Sequence, residues 1–190
     1  MAKESEPEIK KIYQLKVTLR DSKPPIWRRI QVPADITLHR LHLILQVVMG
    51  WGNYHLYGFR IKGRDFGEPD TEDDIFNLNL VNSHRTKLNK VLTKEKTQFI
   101  YDYDFGDSWE HRIVLEKILP VDPDKPYPVC IKGKRACPPE DCGGIWGYYD
   151  LLEIMKNPNH KEYAEMMDWV GGEFDTEEFD IEEINRLLNR

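Results

Sequence analysis

Residues 97–118, TQFIYDYDFGDSWEHRIVLEKI, alternate apolar and polar side chains on both sides of one glycine. A period of two is the signature of a half-buried strand, and two such runs around a Gly-Asp-Ser turn make an antiparallel hairpin. Strands are expected at 97–105 and 109–118. The apolar face sets the register. A three-residue loop of Gly106, Asp107 and Ser108 pairs Phe105 with Trp109 and Tyr103 with His111, and it puts Asp102 opposite Arg112. It also sets Asp104 against Glu110, a like-charge pair that costs a few tenths of a kcal/mol, roughly, unless solvated. Any fold for this chain must bury that aromatic face under something.

A second alternating pair precedes it. IYQLKVTLR (12–20) and IWRRIQV (26–32) flank the turn DSKPP and end at Pro33. Thr37 is placed to cap a helix over 38–49, with Leu38, Leu41, Leu45 and Val48 on one face and Gly50 as its stop. A strand at 55–61, HLYGFRI, follows. The order hairpin, helix, strand predicts an α+β fold with a β-grasp-like mixed sheet, hairpins and one packed helix. The next loop carries acids at Glu68, Asp70, Glu72, Asp73 and Asp74 and reads as solvated surface. LNKVL forms a short helical turn within the basic stretch 85–96.

Prolines at 120, 123, 126, 128, 138 and 139 mark an irregular covering loop over 119–145. Helices are expected at GYYDLLEIMK and KEYAEMMDWV, with their Met and aromatic positions in the core. A third begins at Asp180, where Glu183 completes a capping box and Ile181, Ile184, Leu187 and Leu188 form one stripe. The organisation is a tail at 1–11 and a single domain at 12–190. Within it, 12–118 forms the sheet, 119–145 the loop and 146–190 the helical C-terminal part.

The formal charge of −6 is concentrated at the C-terminal end, where residues 161–190 hold ten acids against three cations. Tight nonspecific DNA binding draws on clustered Lys and Arg, so this balance disfavours it. The N-terminus MAKESEPEIKK is no signal peptide, and LHLILQVVMGW is too short to span a bilayer. A cytoplasmic protein without membrane association is expected. Cys130, Cys137 and Cys142 lack the CxxC spacing of zinc knuckles, and nothing implies a resident cofactor.

Two constellations carry candidate chemistry. The hairpin offers Asp104, Asp107, Trp109 and His111, an acid–imidazole grouping of the kind used for general-base or metal chemistry. The segment ACPPEDCGGIWGY (136–148) offers Glu140 and Asp141, and Gly143-Gly144 leading into a helix N-terminus, a place where free N–H groups accept anions. In one reading these line a groove that binds a protein, peptide or small ligand, with Trp109, Trp27 and Trp146 giving apolar contact and Arg28 or His111 polar specificity. Core packing is the plainer role for Trp27 and Trp146. In the alternative reading, Asp104, Asp107, His111 and Glu140 converge on Mg, Mn or Zn for metal-assisted hydrolysis. Both readings leave a catalytic role open. A third reading, nucleic-acid binding, needs the 85–96 stretch to merge with Arg28, Arg29, Lys132, Lys134 and Arg135 into one patch.

The motifs YDFGDSWEH (103–111) and RACPPEDCGG (135–144) resemble signatures of the Ri-plasmid open-reading-frame-three-like family. So do WRRIQVPADITLHRLHLILQVVMGW (27–51) with His55 just beyond, and EFDTEEFDIEEINRLL (173–188). The resemblance runs from about residue 12 to 188 and implies one domain and an association with plasmids or mobile elements. Some relatives carry a resolvase label. No serine here has the arginine-rich setting with a DNA-reading helix-turn-helix that a serine recombinase uses, and no histidine begins an HxxR, so recombinase chemistry is not expected.

Overall fold

The computed structural model describes residues 11–68 and 80–190. The predicted acidic run at 70–74 and the first ten residues lie outside that range. The first hairpin is β1 (Lys11–Leu19) with β2 (Trp27–Pro33), followed by α1 (Leu38–Met49). Thr37 caps α1 by accepting from the Arg40 N–H at 3.1 Å, and Gly50 ends it at φ +84°, in the left-handed region. Then come β3 (Tyr57–Ile61), β4 (Arg64–Gly67), the short β5 (Val81–Asn82) and a helical turn α2 (Leu88–Val91). The aromatic hairpin is β6 (Gln98–Tyr103) and β7 (Trp109–Pro120), and β8 (Val129–Lys134) follows. The helical end comprises α3 (Gly144–Met155), α4 (Tyr163–Trp169) and α5 (Ile181–Leu188).

All eight strands join one mixed sheet in the order β5-β4-β3-β6-β7-β1-β2-β8, antiparallel except for β4 with β5. Its inner face meets α1. Leu38, Leu41, Leu45 and Val48 are buried against Leu15, Val17, Ile30, Phe59, Tyr101 and Ile113. Each such side chain contributes roughly 1.5–3 kcal/mol by leaving water. On the outer face Arg29 forms a two-pronged ion pair with Glu116 at 2.6 and 2.9 Å and lies over the Trp27 ring.

The α+β class and the hairpin–helix–strand opening are as the sequence predicts. Four local features differ. The β6–β7 loop spans five residues, 104–108, so Tyr103 pairs with Trp109, Tyr101 with His111, and Asp102 with Glu110 rather than Arg112. A shift of two residues keeps every side chain on its predicted face, which is why the aromatic pattern cannot detect it. The loop after β3 contributes β4. The proline-rich segment contributes β8, an edge strand, where proline-bounded sequence is tolerated because one side of the strand needs no ladder bonds. In the C-terminal helices only Tyr148, Leu151 and Leu188 among the large apolar side chains are buried, and Trp169 is exposed.

Candidate functional site

The chain after α1, residues 51–56, is fixed from beneath by polar side chains inside the core. The Gln46 side chain accepts from the Asn53 N–H at 3.0 Å and donates to the Tyr101 hydroxyl at 2.9 Å. His42 lies 2.8 Å from the same hydroxyl through Nδ1 and 2.6 Å from Asn53 Oδ1 through Nε2. The Tyr54 N–H donates to the Tyr103 hydroxyl at 3.0 Å. These contacts present His55 toward the tip of the aromatic hairpin.

That tip meets the 137–144 loop. The Trp51 indole N–H donates to the Pro138 carbonyl at 3.0 Å. Glu140 accepts from the Gly52 N–H and from the Tyr103 hydroxyl, both at 2.6 Å, so each of its oxygens holds the loop in place. Asp107 Oδ2 accepts from the Gly143 N–H at 3.1 Å, so a carboxylate of this chain occupies the anion position at the start of α3. Gly144, at φ +67°, lets the backbones approach, since a β-carbon there would run into the Asp107 carbonyl oxygen. The hairpin and the loop are therefore neighbours in space.

At their junction His55 Nε2 lies 3.1 Å from Asp141 Oδ1 and 3.7 Å from Asp104 Oδ2. The nitrogen is buried and has no hydrogen-bond partner among the described residues. Asp104 uses its other oxygen to close the turn, accepting from the Gly106 N–H at 3.0 Å. Asp104 and Asp141 both sit in the left-handed backbone region, at φ +57° and +60°. Such conformations cost energy in non-glycine residues and gather at functional sites. Three ligand-type atoms within 4.8 Å of one another give this junction the donors of a cation site. Tyr54 and Leu56, which flank His55 in the chain, are exposed, Tyr54 at 82%, and Trp146 in the first turn of α3 is 80% exposed.

The junction keeps Asp104, Asp107, Glu140, Asp141, Gly143 and Gly144 together and excludes the remaining predicted residues. His111 points into the core, fully buried beside Trp51 and Tyr101, with ring centroids 5.2 and 5.4 Å away. Neither ring nitrogen has a hydrogen-bond partner, the backbone of Trp109 and Tyr101 lying near without bonding geometry. Burial pushes its pKa down to about 4. The predicted metal set of Asp104, Asp107, His111 and Glu140 is thus not assembled, because strand alternation turns His111 inward while the turn aims the acids outward. Trp109 is buried too. Trp27 lies on the outer face of the sheet and Trp146 is exposed, so neither is a core residue.

Arg28 is buried and has no carboxylate partner among the described residues. It donates to the carbonyls of Val48 at 2.8 Å and of Trp27 and Lys134 at 3.0 Å, and approaches Cys137 Sγ at 3.3 Å. It ties the last turn of α1 to the start of the covering loop and is a structural cation. With Arg28 buried, Arg29 paired to Glu116 and Arg135 paired to Glu177, the basic patch required for the nucleic-acid reading loses three of its cations. Burial raises all three thiols, Cys137 to about 11 and Cys142 to about 12. His55 is the residue missed by spacing arguments. It stands alone between Tyr54 and Leu56, and only the fold brings the two aspartates to it.

On the outer face of the hairpin, a cavity of about 320 Å³ is lined by Arg60, Leu80, Ile100, Asp102, Phe105 and Ser108, among others. Burial, then the charge of Glu110 across the ladder, raises the Asp102 carboxyl to about 6, and its Oδ1 has no partner among the described residues. Among the described residues no helix is long and apolar enough to cross a membrane.

Comparison with known proteins gives a consistent result. The sequence model of the plasmid pRiA4b ORF-3-like protein family matches residues 11–183. The chain is 37% identical over 180 residues to the uncharacterised protein y4hQ of Sinorhizobium fredii, covering 94% of this chain and 91% of that one. Its fold is similar to the crystal structure of MM3350, a protein of unknown function from Methanosarcina mazei Go1. That similarity has a TM-score of 0.82 at 39% identity and covers 93% of this chain and 98% of the other.

Proposed function

The chain belongs to the plasmid pRiA4b ORF-3-like family, and we propose that it is a binding module that captures its ligand at a divalent cation held by His55, Asp104 and Asp141. The ligand, a protein segment, a peptide or a small molecule, supplies an oxygen donor to the ion. It lays apolar surface against Tyr54, Leu56 and Trp146. One observation carries the reading. A buried imidazole nitrogen faces two carboxylate oxygens at 3.1 and 3.7 Å and makes no hydrogen bond. One imidazole with two carboxylates suits Zn or Mn, and three protein ligands leave coordination positions open. Binding is favoured over hydrolysis because both oxygens of Glu140 and one of Asp107 are engaged in holding the loop, which gives these carboxylates a structural job.

The test is metal titration of chelator-treated protein by calorimetry, beside His55→Ala and Asp141→Asn. A site as described binds Zn or Mn in the wild type and weakens at least tenfold in both variants. At a hundredfold excess over Kd the ion also stabilises the fold by about 2.7 kcal/mol. An ordinary His–Asp ion pair gives a different outcome: no metal binding that depends on His55 or Asp141. That pattern overturns the reading. A screen of phosphoester and amide substrates with the loaded protein separates binding from hydrolysis.

A further inference from the structure

Independently of the junction, a second group of ligand-type side chains gathers at the opposite end of the α1 surface. His39 lies in the first turn of α1, Glu68 directly follows β4, and His84 sits in the turn after β5. Their backbones are locked together. The His39 N–H donates to the Ser83 carbonyl at 3.2 Å and the Leu38 N–H to Thr86 at 2.9 Å. The Ser83 N–H donates to Gly67, next to Glu68, at 2.8 Å. Asn82 Oδ1 closes the turn by accepting from the N–H groups of His84 and Arg85 at 2.9 and 3.2 Å.

On this frame Glu68 Oε1 stands 3.0 Å from His84 Nε2 and 3.5 Å from His39 Nδ1. The two imidazoles stack at 3.8 Å between centroids with 22° between planes, so binding one ion through both requires the half-exposed His84 ring to turn out of the stack. All three ligand-type atoms lie within 4.8 Å of one another. Ligands bound at about 2.0–2.2 Å to one ion are roughly 3.0–3.5 Å apart at neighbouring positions, so the two carboxylate–imidazole separations are those of a coordination polyhedron. His39 Nδ1 also lies 2.9 Å from the Tyr57 hydroxyl, and that hydroxyl has Ser83 Oγ at 2.7 Å as another partner. Coordination at Nδ1 displaces the Tyr57 hydroxyl from that nitrogen and leaves it paired with Ser83 Oγ, so no hydroxyl is orphaned.

We infer that His39, Glu68 and His84 form a transition-metal site of two imidazoles and one carboxylate, separate from the junction. This donor set takes Zn, Fe(II), Ni or Cu(II) and keeps positions for water, and the partial exposure of all three side chains lets the ion exchange with solvent. A surface cluster that merely shares a proton between His84 and Glu68 would show the same short contact but no metal affinity.

Copper(II) titration of the metal-free full-length protein, followed by electron paramagnetic resonance, tests it. Two bound imidazoles give a nitrogen hyperfine pattern that a one-imidazole site cannot give. The expected result, read in the His55→Ala background that silences the junction, is one equivalent of Cu(II) with that pattern. Adding His84→Ala or Glu68→Gln to that background weakens its binding at least tenfold. His84 is half exposed, so thermal melts of the metal-free variant should match wild type and exclude misfolding. If the junction site fails while this one stands, a single equivalent is lost in His84→Ala and not in His55→Ala. The inference is overturned by an unaltered titration in His84→Ala, by a one-nitrogen pattern, or by no specific binding in the wild type.

Discussion

His111 is the most heavily buried ionisable group of the hairpin, and its consequence for stability can be worked through. Its pKa in the folded protein is held down at about 4 by desolvation, whereas an unfolded histidine titrates near 6.5. The unfolded chain therefore binds a proton at a pH where the folded protein does not. Stability from this group is complete above pH 6.5 and is lost as pH falls toward 4. Integrating the linkage gives a loss of about 2.5 kcal/mol by pH 4.5 and about 3 kcal/mol by pH 4. Complete burial means that no discount for solvent screening is needed. His111→Leu, close in volume, removes both the titration and two unpartnered nitrogens. At pH 7.5 the variant should fall within about 2 kcal/mol of wild type, because lost packing against Trp51 and Tyr101 is offset by relief of buried polar atoms. At pH 4.5 it should gain about 2.5 kcal/mol relative to wild type. Urea unfolding followed by tryptophan fluorescence at both pH values measures this. A wild-type-minus-variant difference that does not move between pH 7.5 and 4.5 would refute the reasoning, since it would mean that His111 titrates alike in both states.

Asp102 acts in the opposite direction: its folded pKa lies above the unfolded value, so ionising it costs stability as pH rises from about 4 to 6. Asp102→Asn should stabilise the protein at pH 7.5 by about 1 kcal/mol, allowing for its partial exposure, and the gain should vanish below pH 4 in the same unfolding assay. Arg28→Met leaves the carbonyls of Val48, Trp27 and Lys134 without their donor and should cost about 3 kcal/mol or more. For a chain of this size that is a fall in Tm of roughly 6–12 °C, read by calorimetry. Gly144→Ala forces a β-carbon against Asp107 and pushes the loop off the turn. It should weaken Zn binding at His55 at least tenfold in calorimetric titration, with a smaller effect on His84-dependent binding.

Much of this arrangement is legible in the sequence wherever one residue type has one physical job. Thr37 and Gly50 bound α1 because a hydroxyl acceptor and a left-handed glycine are the ordinary ends of a helix, and both residues do that here. The aromatic face of the β6–β7 hairpin follows from period-two alternation. Its register does not, because a two-residue slip preserves every face and is settled by turn closure through Asp104, not by apolar burial. The β8 strand is hidden by its prolines and its edge position. His55 is hidden for a different reason: its partners are 49 and 86 residues away, and no spacing rule connects them.

The polar interruptions of the apolar helix explain how that distance is bridged. In LHLILQVVM, His42 and Gln46 break a greasy run and look like defects in an amphipathic pattern. Both are buried, and with the Tyr101 hydroxyl and Asn53 they close a ring of hydrogen bonds between α1, β6 and the 51–56 segment. Burial holds His42 neutral, its pKa down to about 4, so the ring carries no net charge into the core. A satisfied buried network of this kind fixes one geometry, since any displacement leaves polar atoms unpaired at about 1–3 kcal/mol each. The segment it fixes is the one that carries His55. Tyr103 and Glu140 extend the same logic outward, from the sheet to the covering loop. The residues that look least suited to the core are therefore those that place the imidazole against Asp104 and Asp141.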